Sequence, residues 1–128
     1  MRTLITLVLL LTSSAIASSA QAQGQDGSFF LQACGAAVKQ SDGGKLSQQE
    51  SLVAMYCASY VSGFLDAMSL TVSTTKGQRN VCTPEQGITI DQASRVLVKY
   101  LRENPETLHQ SGRTSLYVAL ARAFPCEK

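Results

Sequence analysis

Four cysteines, Cys34, Cys57, Cys82 and Cys126, follow an N-terminal stretch that reads as an export signal, and together they constrain this chain more than any other feature. An exported chain leaves the reducing cytosol, so an even number of well-spread cysteines is expected to form two disulfides. The signal rests on Arg2 with the terminal amine, a short apolar core from Leu4 to Leu11, and small residues up to Ala20-Gln21-Ala22, which place cleavage after Ala22. That core is far shorter than the roughly 18 to 20 apolar residues a spanning helix needs, and Thr12, Ser13 and Ser14 end it. Residues 1–22 therefore read as a signal peptide with no membrane association after cleavage, and residues 23–128 as one domain with one core.

Charge excludes one large class of partners. Of the 11 Lys and Arg, Arg2 leaves with the signal, against 9 Asp and Glu. The remaining cations are scattered, whereas nucleic-acid binding relies on clustered phosphate neutralisation, so no nucleic-acid partner is expected.

The apolar residues follow helical spacing throughout, which predicts an all-α fold: a small bundle of about four helices stapled by two disulfides. Around Phe30, positions Ala33, Cys34, Ala37 and Val38 recur three and four apart, with Asp26 or Ser28 as N-cap and Gly43 as the stop. Ser47-Gln48-Gln49-Glu50 is a capping box opening a second helix to about Leu70. Its apolar and small residues, including Val53, Met55, Tyr56, Tyr60, Val61 and Phe64, cover nearly all sides, so it is expected to be the central helix. Gly63, costly in such a place, is expected to mark close approach of another backbone. A loop from Thr71 to Gly87 follows, and Thr89-Ile90-Asp91-Gln92 caps a third helix ending near Asn104. Asn104-Pro105 then reads as the start of one last helix running through Leu108, His109 and Leu116 to Pro125, with Gly112 bending it or admitting a neighbour.

Four cysteines permit three pairings. If the first two helices form a hairpin across the turn from Asp42 to Leu46, Cys34 and Cys57 lie similar distances from that turn and come level at 1.5 Å per residue. This favours Cys34 with Cys57, leaving Cys82 with Cys126.

Nothing in the chain makes a convincing catalytic or metal set. No C-x-x-C or C-x-x-H pair supplies zinc ligands, and the single histidine, His109, has no free thiol to activate. Glu50 is accounted for by capping, and Asp66 is one carboxylate on a helix. No cofactor, metal or catalytic residue is expected. Tyr56, Tyr60, Tyr100 and Tyr117 suit an interface, though periodicity places Tyr60 and Tyr100 in the core. The polar segment from Thr74 to Arg79, with Lys76 and Arg79 beside Cys82, is the candidate partner contact.

The run Cys57-Ala58-Ser59-Tyr60-Val61-Ser62-Gly63-Phe64-Leu65-Asp66-Ala67 resembles the central motif of the Rap/Tai immunity proteins, Cys-x-x-Tyr-(Ile/Val)-x-Gly followed by an Asp-Ala-like pair. Val81-Cys82-Thr83-Pro84, Asn104-Pro105 and Phe124-Pro125-Cys126 resemble later parts of the same pattern. The resemblance implies a small helical periplasmic protein that binds and blocks a secreted cysteine amidase effector of type VI secretion, often as a homodimer. It also implies that Tyr60, Gly63, Asp66 and Pro125 belong to the fold's skeleton. An envelope stress or chaperone-like binding protein of the same fold is the alternative, and a hydrolase the poorest reading, for want of a nucleophile and base.

Overall fold

The computed structural model describes residues 25–74 and 80–127. The signal and its cleavage site, and Lys76 and Arg79, lie outside the described residues. The described residues form four α-helices, α1 (Gly27–Ser41), α2 (Gln48–Thr74), α3 (Ile90–Glu103) and α4 (Gly112–Ala123), with a short 3-10 turn at Pro105–Thr107. No strand occurs among the described residues beyond an isolated bridge between Asp26 and Ser111.

The helix starts form where local chemistry places them. The Asp26 carboxylate accepts from the Phe29 amide at 3.0 Å, and the Thr89 hydroxyl accepts from the Gln92 amide at 3.1 Å. At the second helix both halves of the capping box are made: the Ser47 amide donates to Glu50 at 2.7 Å and the Glu50 amide to the Ser47 hydroxyl at 3.2 Å. Each satisfies an amide that a helix end would otherwise leave without a partner. The turn after α1 closes at Gly43, whose φ of 80° is the left-handed conformation glycine adopts without a Cβ clash.

The last helix departs from the sequence expectation. It is not continuous from Pro105, because the carbonyls that would propagate it are taken by the N-terminal end of α1. Leu108 and Gln110 accept from the Ser28 and Gly27 amides at 3.1 and 2.9 Å, and the Gly112 amide donates to the Gln25 carbonyl at 2.9 Å. The chain therefore makes a tight turn at Pro105, leaves His109 exposed outside any helix, and restarts with Ser111 as the N-cap of α4.

The role expected of α2 belongs to α1. It lies against both α2 and α3, and those two contacts are the most extensive in the fold. The core gathers Phe30, Cys34, Cys57, Val61, Leu97, Leu101, Leu116 and Leu120. Both disulfides take the favoured pairing: Cys34–Cys57 has its Cα atoms 5.2 Å apart and Cys82–Cys126 4.9 Å apart. The first lies within the core between α1 and α2. The second fastens the strap of residues 80–89, which leads into α3, to the segment that follows α4.

Candidate protein-interaction face

Among the residues of α2 whose burial is described, 48–71, only Ala54, Cys57 and Val61 are fully buried. The opposite side is exposed and largely apolar: Leu52 is 56% exposed, Met55 66%, Tyr56 44% and Leu70 67%. Ser59, Gly63, Asp66 and Ala67 share that side, so small residues stand four apart at 59, 63 and 67, between bulky ones. Gln48–Thr71 is long and apolar enough, by length and composition, to cross a membrane. Here the Cys34–Cys57 bridge and the packing of Val61 tie it into the helical domain. Its apolar content exceeds what the fold buries, and such a surplus marks an interaction surface.

The expectation that another backbone of the fold approaches Gly63 is not met. A Cβ placed there would meet no atom within 4 Å. Glycine in an exposed helix interior costs about 1 kcal/mol relative to alanine, and neither crowding nor a positive φ demands it here. The physical need for it lies outside the monomer or nowhere.

Toward its N-terminal half the face joins an aromatic cluster shared with α1. The Phe29 ring meets Tyr56 edge-on at 5.1 Å, Phe30 lies 4.5 Å from Tyr60, and Tyr56 and Tyr60 stack at 6.3 Å. Burial raises the Tyr60 phenol above its ordinary value, Tyr56 adds to this, and Arg113 opposes it. This cluster fixes the angle between α1 and α2 and leaves Tyr56 open, an aromatic anchor with a polar tip.

Of the four tyrosines, Tyr100 is buried with the Arg122 guanidinium 5.1 Å from its ring centre, Tyr60 is half-buried, and Tyr56 and Tyr117 are exposed. Of the four residues assigned to the fold's skeleton, Tyr60 packs against the core, while Gly63, Asp66 and Pro125 are exposed; the motif's Cys57 and Val61 are fully buried. The bulky members of the face, Leu52, Met55 and Leu70, were missed because a helix apolar on many sides reads as surrounded. A signal did exist: α2 contains no Lys or Arg, and its small residues repeat every fourth position.

Beside the C-terminal half of α2, a cavity of about 310 Å³ opens between Leu65, Met68 and the strap residues Val81, Thr83 and Ile88. No group of three or more His, Cys, Asp or Glu among the described residues is placed to hold a metal ion. All four cysteines are in disulfides.

Among the described residues this is a disulfide-stapled helical domain with an exposed, largely apolar face on α2, the build expected of a protein that works by binding another. The chain belongs to the Rap1a immunity protein family, whose model matches residues 26–126. No curated protein and no solved structure matches it significantly.

Proposed function

We propose that this chain is a periplasmic immunity protein that binds and blocks a peptidoglycan amidase delivered by type VI secretion, acting by contact and not by catalysis, and working as a homodimer. Family membership over residues 26–126 carries the reading.

The α2 face supports self-association through its symmetry. About Gly63, Ser59 and Ala67 stand four residues away on either side, and Tyr56 and Leu70 seven. An antiparallel pair of α2 helices crossing at Gly63 sets Tyr56 of each copy opposite Leu70 of the other, and Ser59 opposite Ala67. Such a pairing is isologous, the usual form of a two-fold dimer. The absent Cβ at the crossing lets the backbones approach. Contact with the amidase is assigned to Lys76 and Arg79, in the polar segment beyond α2.

The test is affinity capture of the exported, disulfide-bonded protein from its own periplasm and from the secretome of a sister strain, followed by light scattering of the purified protein. One tight partner with cysteine amidase activity that is lost on binding is the expected result. A broad set of unfolded clients would instead favour an envelope chaperone. A monomer at all concentrations would remove the dimer.

A further inference from the structure

The two disulfides sit in opposite surroundings. Cys34 and Cys57 are each 0% exposed, held between α1 and α2 with the Cys57 sulfur 3.6 Å from the Ser94 hydroxyl of α3. Cys82 is exposed on the strap, and Cys126 is half-buried in the short segment after α4; neither belongs to a helix. Disulfide exchange requires a thiolate to reach a bridge sulfur, so access decides which bridge reacts while the protein stays folded.

We propose that Cys82–Cys126 is an exchange site for a dithiol reductant of the oxidoreductase class, opening in the folded protein while Cys34–Cys57 stays closed. A thiolate of the dithiol attacks the Cys82 sulfur. The bond to Cys126 breaks, and Cys126 leaves as a thiolate that takes a proton from water. The second thiol of the reductant then attacks the mixed disulfide, releasing Cys82 and leaving the reductant as a disulfide. Two electrons pass from the dithiol to the bridge, and no other reactant is needed.

The strap has other attachments that outlast the bridge. The Cys82 amide donates to the Phe124 carbonyl at 2.8 Å, the Asn80 side-chain amide donates to the Tyr117 hydroxyl at 2.9 Å, and Val81 is buried in the core. These keep the two thiols near each other. When the disulfide form of the reductant takes back the two electrons through a mixed disulfide at Cys82, the closing attack by Cys126, which releases the partner as its dithiol, is therefore intramolecular and at high effective concentration. The site is thus reversible. Its opening loosens the strap and the C-terminal segment without unpacking the helices.

The experiment treats the oxidised mature protein with dithiothreitol in the absence of denaturant, removes samples over time, traps thiols with an alkylating agent and maps the labelled peptides. Helical circular dichroism is followed in parallel. Cys82 and Cys126 should label more than about tenfold faster than Cys34 and Cys57, with the helical signal unchanged, and removing the reductant under air should restore the bridge. Equal labelling of all four cysteines, earlier labelling of Cys34 and Cys57, or loss of helical signal in step with labelling at Cys82 would each overturn the proposal.

Discussion

The ring of Phe30 occupies the space that a Cβ on Gly112 would need. Phe30 is 1% exposed and is the largest side chain fully buried in the core, so the first turn of α4 lies directly against the residue around which α1 packs. Gly112 therefore admits a neighbour, one of the two roles its sequence position suggests.

Gly112→Ala should lower stability by about 1 to 3 kcal/mol, because the ring has to move off its site and the core around it repacks. Phe30→Ala should cost about 3 to 5 kcal/mol through lost burial and the cavity left behind. Urea denaturation of both variants checks this. A Gly112→Ala midpoint equal to wild type would show that the ring has room to give way.

Gly63 should behave in the opposite way. Gly63→Ala should stabilise the monomer by up to about 1 kcal/mol, since the site is open and alanine favours the helix. Gly63→Leu should leave the monomer's melting temperature no lower while shifting the proposed dimer toward monomer, measured by sedimentation at matched concentrations. A Gly63→Leu protein that dimerises as tightly as wild type would remove the α2 crossing.

Glu50 supplies an acid-sensitive contact. The Ser47 amide first, then the Lys39 ammonium at 2.9 Å, hold its carboxyl at about 2, below the ordinary value of 4.5. A lowered carboxylate contributes stability that is present above its unfolded value and lost as pH falls through its folded one. The contribution should thus fade between pH 4.5 and about 2. Glu50→Gln should lose this part of the acid dependence of the urea midpoint, and salt should weaken it in the wild type, since the pair is exposed. Identical acid limbs for the two proteins would show that the capping box holds no charge-dependent stability.

The two bridges should differ in what their removal costs. Chain entropy alone favours Cys82–Cys126, whose residues are 44 apart against 23 for Cys34–Cys57, by only about 0.6 kcal/mol. Removing two sulfurs from the sealed core should cost about 1 to 2 kcal/mol more than that margin recovers. The Cys34→Ala/Cys57→Ala pair is therefore expected to melt below the Cys82→Ala/Cys126→Ala pair. The reverse order would mean that loop closure outweighs packing here.

If Lys76 and Arg79 contact the partner found by capture, as proposed, replacing both with Glu should leave the helical spectrum unchanged and slow association with that partner, because charge at an interface rim acts mainly on the on-rate. Affinity and association rate both within about twofold of wild type would exclude this segment as the contact.

Helix number among the described residues, the starts of the first three helices and the disulfide pairing were legible in the sequence, whereas the start of α4 was not. Caps at Asp26, Ser47 and Thr89 are completed within three residues of chain, and the Cys34–Cys57 match depends only on helical rise and one short turn. Such features involve few distant partners, so local chemistry suffices. The surroundings of each helix did not follow in the same way. Apolar residues around α2 are compatible with a buried helix and with one that keeps a face for a partner; only the packing of α1 against both α2 and α3 separates the two. Likewise, nothing near Leu108 announces that its carbonyl will accept from Ser28, some eighty positions away, and so end the helix that Pro105 begins. Sequence by itself determined where backbone groups find partners close along the chain; tertiary structure alone decided which surfaces and carbonyls distant segments would claim.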